Sequence, residues 1–243
     1  MKLRALLLAA GLGTRLRPLT NTVPKCLVEI AGRPLLDYWV ELLYRGGIVD
    51  ILVNVHHLEA AVMRYVERCP HPVRLSTAYE EKLLGTGGTL LRNRAFFGAG
   101  PAVLIHADNL SLFDFRAFAQ RYESRDADIA MTMMTFLTDS PRSCGIVELD
   151  RRGVVQALHE KVANPPGNLA NAAVYVLAPT VIEFLAGLGK QEIDFSTEVL
   201  PHFMGRINTF HNDVYHRDIG TLESLTAARI EYPAVAARQA AGR

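Results

Sequence analysis

Arg15, Arg17 and Lys25 lie on one stretch of chain that also holds Gly11 and Gly13. Glycine lets a backbone approach a ligand closely, exposed N–H groups cradle phosphate oxygens, and Arg and Lys neutralise phosphate charge. The stretch fits neither common nucleotide motif. Leu16 stands where a third Rossmann glycine would be, and no Gly-Lys-Ser or Gly-Lys-Thr occurs. Taken alone, the loop reads equally well as a tight turn with solvated basic residues. Lys25 resists that reading. Pro24 stiffens the backbone before it and Cys26-Leu27-Val28 after it is apolar, so its ammonium is held at the mouth of a buried strand, placed to meet a phosphate as a point charge.

Asp108 and Asp218 each follow or end a short strand-like run. Either aspartate alone reads as a strand-end cap. Gly85-Thr86-Gly87-Gly88 sits between a strand and a helix. Its side-chain-poor backbone can meet a base edge, and Thr86 can cap the helix. Glu160 reads as an exposed hairpin residue. Asp126-Ala127-Asp128 has the Asp-x-Asp form used by metal-dependent glycosyltransferases but reads better as a turn. His56-His57 has no metal spacing and ends a strand near the site, and Met131, Met133 and Met134 read as core or interface filling.

The elements that must position these groups alternate. Leu3–Ala10 is an apolar run cut by Gly11, as expected of a strand buried on both faces. Strands are expected at 27–30, 51–55, 73–78, 102–106 and 129–135, with helices at 34–45, 58–68, 89–97 and 115–123 between them. Such alternation implies an α/β protein: a doubly wound, Rossmann-like, mixed and mostly parallel sheet flanked by helices on both faces. Ligands then sit beyond the carboxyl ends of the strands, where 11–25 and 107–109 fall. After Pro141 three strand-like runs, 145–149, 154–159 and 174–177, follow with little helix, and Asp150-Arg151-Arg152-Gly153 makes a hairpin turn. Helices near 181–186 and 197–203, strands near 207–210 and 214–216, and a helix at 221–231 complete the pattern. A frayed tail is expected after Pro233.

The 243 residues suit one domain, or one with a small lobe, and 49% hydrophobic with 21% charged residues exclude disorder as the main state. Lys plus Arg number 26 against 25 Asp plus Glu, so no global field recruits nucleic acid or acidic membrane. The early apolar run, Leu6 to Ala10, falls far short of the ~18 residues of a membrane span and lacks a secretory pattern. Cys26, Cys69 and Cys144 have no metal spacing and are odd in number, which suits a reduced, cytoplasmic protein.

At the level of motifs, Gly11-Leu-Gly13-Thr14-Arg15-Leu-Arg-Pro18-Leu-Thr20-Asn-Thr-Val-Pro24-Lys25 resembles the signature of the sugar-1-phosphate nucleotidyltransferases, the NDP-sugar pyrophosphorylases. Leu84-Gly85-Thr86-Gly87-Gly88 is similar to their nucleobase segment and Asp108 takes the place of their first metal aspartate. Glu160-Lys161, Asn171-Ala-Ala-Val-Tyr175 and Asp218-Ile-Gly-Thr221 resemble their Glu-Lys pair, sugar-contacting segment and second metal segment. The match runs in order from residue 3 to about 230.

The resemblance implies a GT-A-like nucleotidyltransferase fold in a single domain, 1–232. About 1–135 would bind nucleotide and about 140–232 the sugar phosphate, with 233–243 a tail. It implies catalytic roles for Arg15, Lys25 and Lys161. Nucleotide contacts would come from Ala10, Gly11, Gly13, Thr14, Arg15, Lys25, Leu84, Gly85, Thr86, Gly88 and Asp108. Gly145, Glu160, Lys161 and Asn171 would hold the sugar phosphate, and Asp108 with Asp218 would hold Mg2+.

The short bacterial members are the nearest in appearance, and Leu84-Gly-Thr-Gly-Gly88 looks most like the guanylyltransferases of heptose- or mannose-1-phosphate. GTP and those sugar phosphates are therefore the expected partners, with no nucleic acid and no membrane. Uridylyl or cytidylyl transfer to another sugar phosphate is the alternative, as is a catalytically silent nucleotide-sugar sensor. Keeping Arg15, Lys25, Asp108, Lys161 and Asp218 together argues against a sensor. A homodimer stays open, and no C-terminal β-helix of the long members is expected after residue 231. The sequence departs from the family at Ala107 before the metal aspartate, Val162 after the Glu-Lys pair, Cys26 after the lysine, and Ala173 in place of a glycine.

Overall fold

A computed structural model describes residues 2–241. The first half of the chain forms strands β1 (Arg4–Leu8), β2 (Glu29–Ile30), β3 (Arg33–Pro34), β4 (Asp50–Val55), β5 (Arg74–Tyr79), β6 (Ala102–His106) and β7 (Asn109–Leu112). The second half adds β8 (Met131–Leu137), β9 (Gly145–Leu149), β10 (Val155–Glu160), β11 (Leu169–Leu177), β12 (Ile207–His211) and β13 (Tyr215–Asp218). The helices are α1 (Leu35–Arg45), α2 (Glu59–Glu67), α3 (Gly85–Arg92), α4 (Arg94–Phe97), α5 (Phe115–Glu123), α6 (Pro179–Gly187) and α7 (Leu222–Ala241).

These elements make the α/β fold that the alternation implies, a mixed central sheet accompanied by helices. Its strand order is β10-β9-β11-β6-β1-β4-β5, with β8 pairing β11 and β12. β4 runs parallel to β5, and β12 parallel to β8. The antiparallel pairings centre on β11, which opposes β6, β8 and β9, and on the β9–β10 hairpin. β13 pairs with β7 in a separate two-stranded ribbon.

The chain forms two compact units, neither of them contiguous in sequence. One holds the segment up to Leu6, Leu83–Ile105 and Arg116–Asp213; the other holds Leu7–Lys82, His106–Phe115 and the segment from Val214 onward. In the second unit, α1, the turn after Pro24, β2, β7 and α7 share an apolar cluster of Leu16, Val28, Ile30, Leu35, Tyr38, Leu110, Ile219, Leu225, Ala228 and Tyr232. Leu16 follows Arg15, Leu110 follows Asp108 by two residues, and Ile219 follows Asp218. Burying a side chain of this size stabilises by about 1.5–3 kcal/mol, so the loop and both aspartates are anchored by one core.

Three expectations about local structure are corrected. The helix expected at 89–97 begins four residues earlier, at Gly85, and breaks at Asn93, whose Nδ2 donates to the Thr89 carbonyl at 2.9 Å. The helix expected at 197–203 is a wide turn, Phe195–Val199, capped by Asp194 accepting from Thr197 N, followed by a 3-10 turn, Leu200–Phe203, that begins around Pro201. The frayed tail is instead helix: α7 continues through Pro233 to Ala241. Tyr232 stacks edge-on against Tyr38 at 4.8 Å, and Ala236 packs on the same cluster, so apolar contact continues past the proline. The Asp150–Gly153 hairpin forms as expected, with Gly153 N donating to the Asp150 carbonyl at 3.0 Å and Gly153 at φ +75°.

Candidate active site

β1 delivers the glycine loop, and buried polar groups of the same unit fix its course. Asn54 is 3% exposed on β4, a strand buried along its whole length. Its Oδ1 accepts from Ala9 N at 2.6 Å and Ala10 N at 3.2 Å, and its Nδ2 donates to Glu80 Oε1 at 3.3 Å. Thr20 Oγ1 donates to the Gly13 carbonyl at 2.7 Å, and His57 Nε2 lies 3.1 Å from the Thr20 carbonyl. Sequence reasoning passes over Asn54, names Thr20 only within the signature, and gives His57 only a strand end. The available signal was a lone amide inside Ile51-Leu-Val-Asn54-Val55, which an apolar strand tolerates only when its polar atoms are satisfied.

The two glycines do different work. Gly13 has φ +60°, and a Cβ there would meet Thr20 Cγ2 at 2.8 Å, so the loop's own packing requires glycine. A Cβ on Gly11 would meet nothing within 4 Å, so its bareness serves open space.

Lys25, Asp108 and Asp218 converge. The β13–β7 ribbon pairs Asp218 with Asn109, and Ile219 N donates to the Asp108 carbonyl at 3.2 Å. Two residues far apart in sequence are thereby held side by side. Lys25 sits in a 3-10 turn after Pro24 with its side chain only 7% exposed. Its Nζ is 2.8 Å from Asp108 Oδ2 and 3.6 Å from Asp218 Oδ1. Arg15 approaches Asp218 Oδ2 at 3.8 Å, and a Cβ on Gly220 would strike both that oxygen (2.5 Å) and Arg15 Nη2 (2.8 Å). Burial pushes the Asp108 carboxyl up, but the Lys25 ammonium, His106 and the hydrogen bonds outweigh it and hold it below the usual carboxylate range. His216, whose Nδ1 lies 2.5 Å from Ser111 Oγ, is pushed down to about 3 by burial against the opposing field of Asp108, and so is neutral.

The residues fit a divalent cation. One nitrogen lies within 3.6 Å of both carboxylates, so both can reach a single cation. No group of three or more His, Cys, Asp or Glu able to hold a metal occurs among the described residues. Two carboxylates leave coordination positions for phosphate oxygens and water, the pattern of hard cations that act on phosphates.

The other unit carries the remaining sequence-flagged residues. Glu160 ends β10 opposite Gly145 on β9, and a Cβ on Gly145 would sit 2.6 Å from Glu160 Oε2, so glycine there makes room for the carboxylate. Lys161 follows at φ +50°, its N donating to the Cys144 carbonyl at 3.1 Å and its exposed Nζ 3.1 Å from Glu160 Oε1. Asn171 spans an irregularity in β11. Its Nδ2 donates to Tyr175 Oη at 2.6 Å and its Oδ1 accepts from Ala173 N at 2.9 Å, with Ala173 at φ +55°.

The Leu84–Gly88 segment is built differently from expectation. Gly85, Gly87 and Gly88 lie in the first turns of α3, and the N–H groups of Gly87 and Gly88 both donate to the Ile193 carbonyl, at 2.9 and 3.2 Å. A Cβ on Gly85 would meet that carbonyl oxygen at 2.5 Å, and one on Gly88 would meet the Gln191 carbonyl oxygen at 2.1 Å. Thr86 is not a cap: its Oγ1 accepts from Phe195 N at 2.9 Å. These glycines admit the 191–195 segment. Asp126-Ala127-Asp128 is a turn, with Ile129 N donating to the Asp126 carbonyl at 3.1 Å. The three cysteines are free, and burial pushes the Cys26 thiol up to about 12, which leaves it inert. No described helix is long and apolar enough to cross a membrane.

A family model described as nucleotidyl transferase matches residues 4–234. The chain is 32% identical to a glucose-1-phosphate thymidylyltransferase of Streptomyces griseus over 76% of this chain and 52% of that one. It is 30% identical to a mannose-1-phosphate guanyltransferase of Aspergillus fumigatus over 90% of this chain and 61% of that one. It thus spans little more than half the length of these curated relatives. Among solved structures, HddC from Yersinia pseudotuberculosis, complexed with GMP-PN, superposes with a TM-score of 0.79 at 25% identity, covering 96% of this chain and all of that one.

Proposed function

The chain belongs to the nucleotidyl transferase family, and from that premise we propose that it is a sugar-1-phosphate nucleotidyltransferase. A phosphate oxygen of the sugar-1-phosphate would attack the α-phosphorus of a nucleoside triphosphate, forming the NDP-sugar and releasing pyrophosphate. The observation that carries this reading is the convergence of Lys25, Asp108, Asp218 and Arg15 beneath an open glycine loop. Phosphoryl-type transfer asks a protein for positioning and charge neutralisation more than for covalent chemistry.

In this reading Gly11 lets the triphosphate approach the loop, whose Ala10, Gly13 and Thr14 line its course, while Arg15 and Lys25 neutralise its phosphates. Asp108 and Asp218 would hold the divalent ion, Mg2+ being the natural choice for an all-oxygen site with phosphates. When bound, such an ion screens phosphate charge and orients the phosphate oxygens. Lys161, with its ammonium exposed, would receive the phosphate of the sugar, and Glu160 and Asn171 its hydroxyls. Leu84 and Gly85, with the turn they open, would bound the base. The attacking phosphate is already ionised, so no general base is assigned.

GTP with mannose- or heptose-1-phosphate is the favoured pairing, supported by the guanyltransferase relative and by the structural neighbour bound to GMP-PN. The thymidylyltransferase relative of similar identity supports dTTP with glucose-1-phosphate as the second pairing. A matrix of GTP, dTTP, UTP, CTP and ATP against mannose-, heptose- and glucose-1-phosphate, scored by pyrophosphate release with Mg2+, tests both. Release with a guanine pairing supports the first, and release confined to dTTP replaces it with the second. Silence across the matrix, with nucleotide binding intact, would leave a nucleotide-sugar sensor.

A further inference from the structure

We propose that, while no nucleotide is bound, the Lys25 ammonium acts as the counter-ion of the Asp108–Asp218 pair, so that it and a divalent cation compete for the same carboxylates. The inference rests on the reading of those carboxylates as the metal ligands.

The geometry is that of a cation between two anions. Lys25 Nζ lies 2.8 Å from Asp108 Oδ2 and 3.6 Å from Asp218 Oδ1, on a side chain 7% exposed. A lysine normally keeps its charged end in water. Here the ammonium is withdrawn from water, and a buried cation needs paired carboxylates to stay charged.

The local charge count gives the same answer. Two carboxylates face Lys25 and Arg15, so the cluster is neutral as it stands. Adding a bare divalent ion leaves an excess of two positive charges in a partly buried site. Adding it with a triphosphate removes that positive excess, because the phosphates bring the anions that Lys25 then requires. The ammonium can follow them, being a point charge on a flexible stem. Metal and triphosphate should therefore bind with positive coupling, and Lys25 is the residue that creates it. By linkage, each must raise the other's affinity by the same factor.

Mn2+ serves as the probe, followed by the loss of its free electron-spin-resonance signal. Without nucleotide, Lys25→Met should bind Mn2+ tighter than wild type by about tenfold or more, equivalent to ~1.4 kcal/mol. Lys25→Arg, which keeps the charge, should stay near wild type. Lys25→Met binding Mn2+ within about twofold of wild type overturns the proposal. If Lys25→Met does not fold, wild-type crystals soaked in MnCl2 without nucleotide decide it. Mn2+ on the carboxylates with Lys25 moved off Asp108 supports the exchange; Mn2+ there with the Lys25–Asp108 contact intact overturns it. Asp108→Asn separates the two claims. If this variant with triphosphate loses Mn2+ binding while Lys25→Met matches wild type, only the exchange fails. If it binds Mn2+ as wild type does, the metal reading and the exchange fall together.

Discussion

Replacing Asn54 with alanine should loosen the whole glycine loop. At 3% exposure the Asn54 Oδ1 accepts from Ala9 N and Ala10 N at 2.6 and 3.2 Å, and its Nδ2 donates to Glu80 at 3.3 Å. In Asn54→Ala the two backbone donors lose their partner where water enters poorly. A buried donor left unsatisfied costs about 1–3 kcal/mol. Two such groups, with Ala9 only half-buried, set the expected loss near 3 kcal/mol. For a chain of this length each kcal/mol moves the melting temperature by about 2–4 °C, so the midpoint should fall by roughly 6–12 °C.

Circular dichroism melts measure this directly. Asn54→Asp gives the internal control. It keeps an acceptor for both N–H groups but loses the donor to Glu80 and sets two carboxylates together. Its melting point should therefore approach wild type as the pH falls through the carboxylate range, where one of the two is protonated, whereas Asn54→Ala should not recover. An Asn54→Ala midpoint within about 2 °C of wild type refutes the reasoning, because the loop would then be held by something other than this amide.

Further outcomes are expected. Gly88→Ala should destabilise by about 1–3 kcal/mol, because its Cβ would lie 2.1 Å from the Gln191 carbonyl oxygen. Gly11→Ala, with nothing within 4 Å, should leave stability within about 0.5 kcal/mol yet depress turnover; full turnover would show that the loop is not the phosphate cradle. Lys161→Ala should weaken use of the sugar phosphate strongly while leaving triphosphate affinity, by isothermal titration with Mg2+, within about threefold; a comparable loss of triphosphate affinity would sink the sugar-side assignments together. Asp37 gives a pH test away from the site. Burial raises its carboxyl, but Arg33, Tyr65 and His71 prevail and lower it. A lowered folded pKa adds stability above the unfolded value, lost as pH falls through the folded one. Asp37→Asn should thus be less stable at neutral pH and show a flatter decline below about pH 4, and parallel melting curves for the two proteins would exclude the linkage.

The parts of the fold that sequence reasoning reached are those set by local pattern. β1, β4 and β6 each carry an apolar run, Ala5–Leu8, Ile51–Val53 and Ala102–Ile105, and α1 repeats its apolar residues at helical spacing after Pro34. Where it missed, a distant partner decided the local form. The glycines at 85–88 look like a loop because glycine disfavours helix. They are helical because the 191–195 segment packs so closely that no Cβ fits, and its Ile193 carbonyl takes the first free N–H groups of α3. Pro233 looks like a stop because proline lacks the helical donor. The helix passes it because Tyr232 and Ala236 belong to one apolar face on either side.

The same division governs the site. Residue type and setting mark Lys25, and the family resemblance marks Asp108 and Asp218, but their meeting depends on a pairing no local pattern encodes. The β13–β7 ribbon sets Asp218 against Asn109, and Leu16, Leu110 and Ile219 lock the three segments into one core. A departure in the sequence also acquires a physical meaning. Ala173 stands where the resembling family has glycine, and its φ of +55° is a conformation glycine adopts without cost. Asn171 Oδ1 holds the Ala173 N–H at 2.9 Å, and Asn171 Nδ2 is held in turn by Tyr175. The asparagine that the sequence marks as a sugar contact thus has part of its bonding capacity committed to holding a left-handed alanine. In Ala173→Gly that demand is relaxed. The strain in β11 and the freedom of Asn171 to turn toward a ligand are therefore linked through one residue.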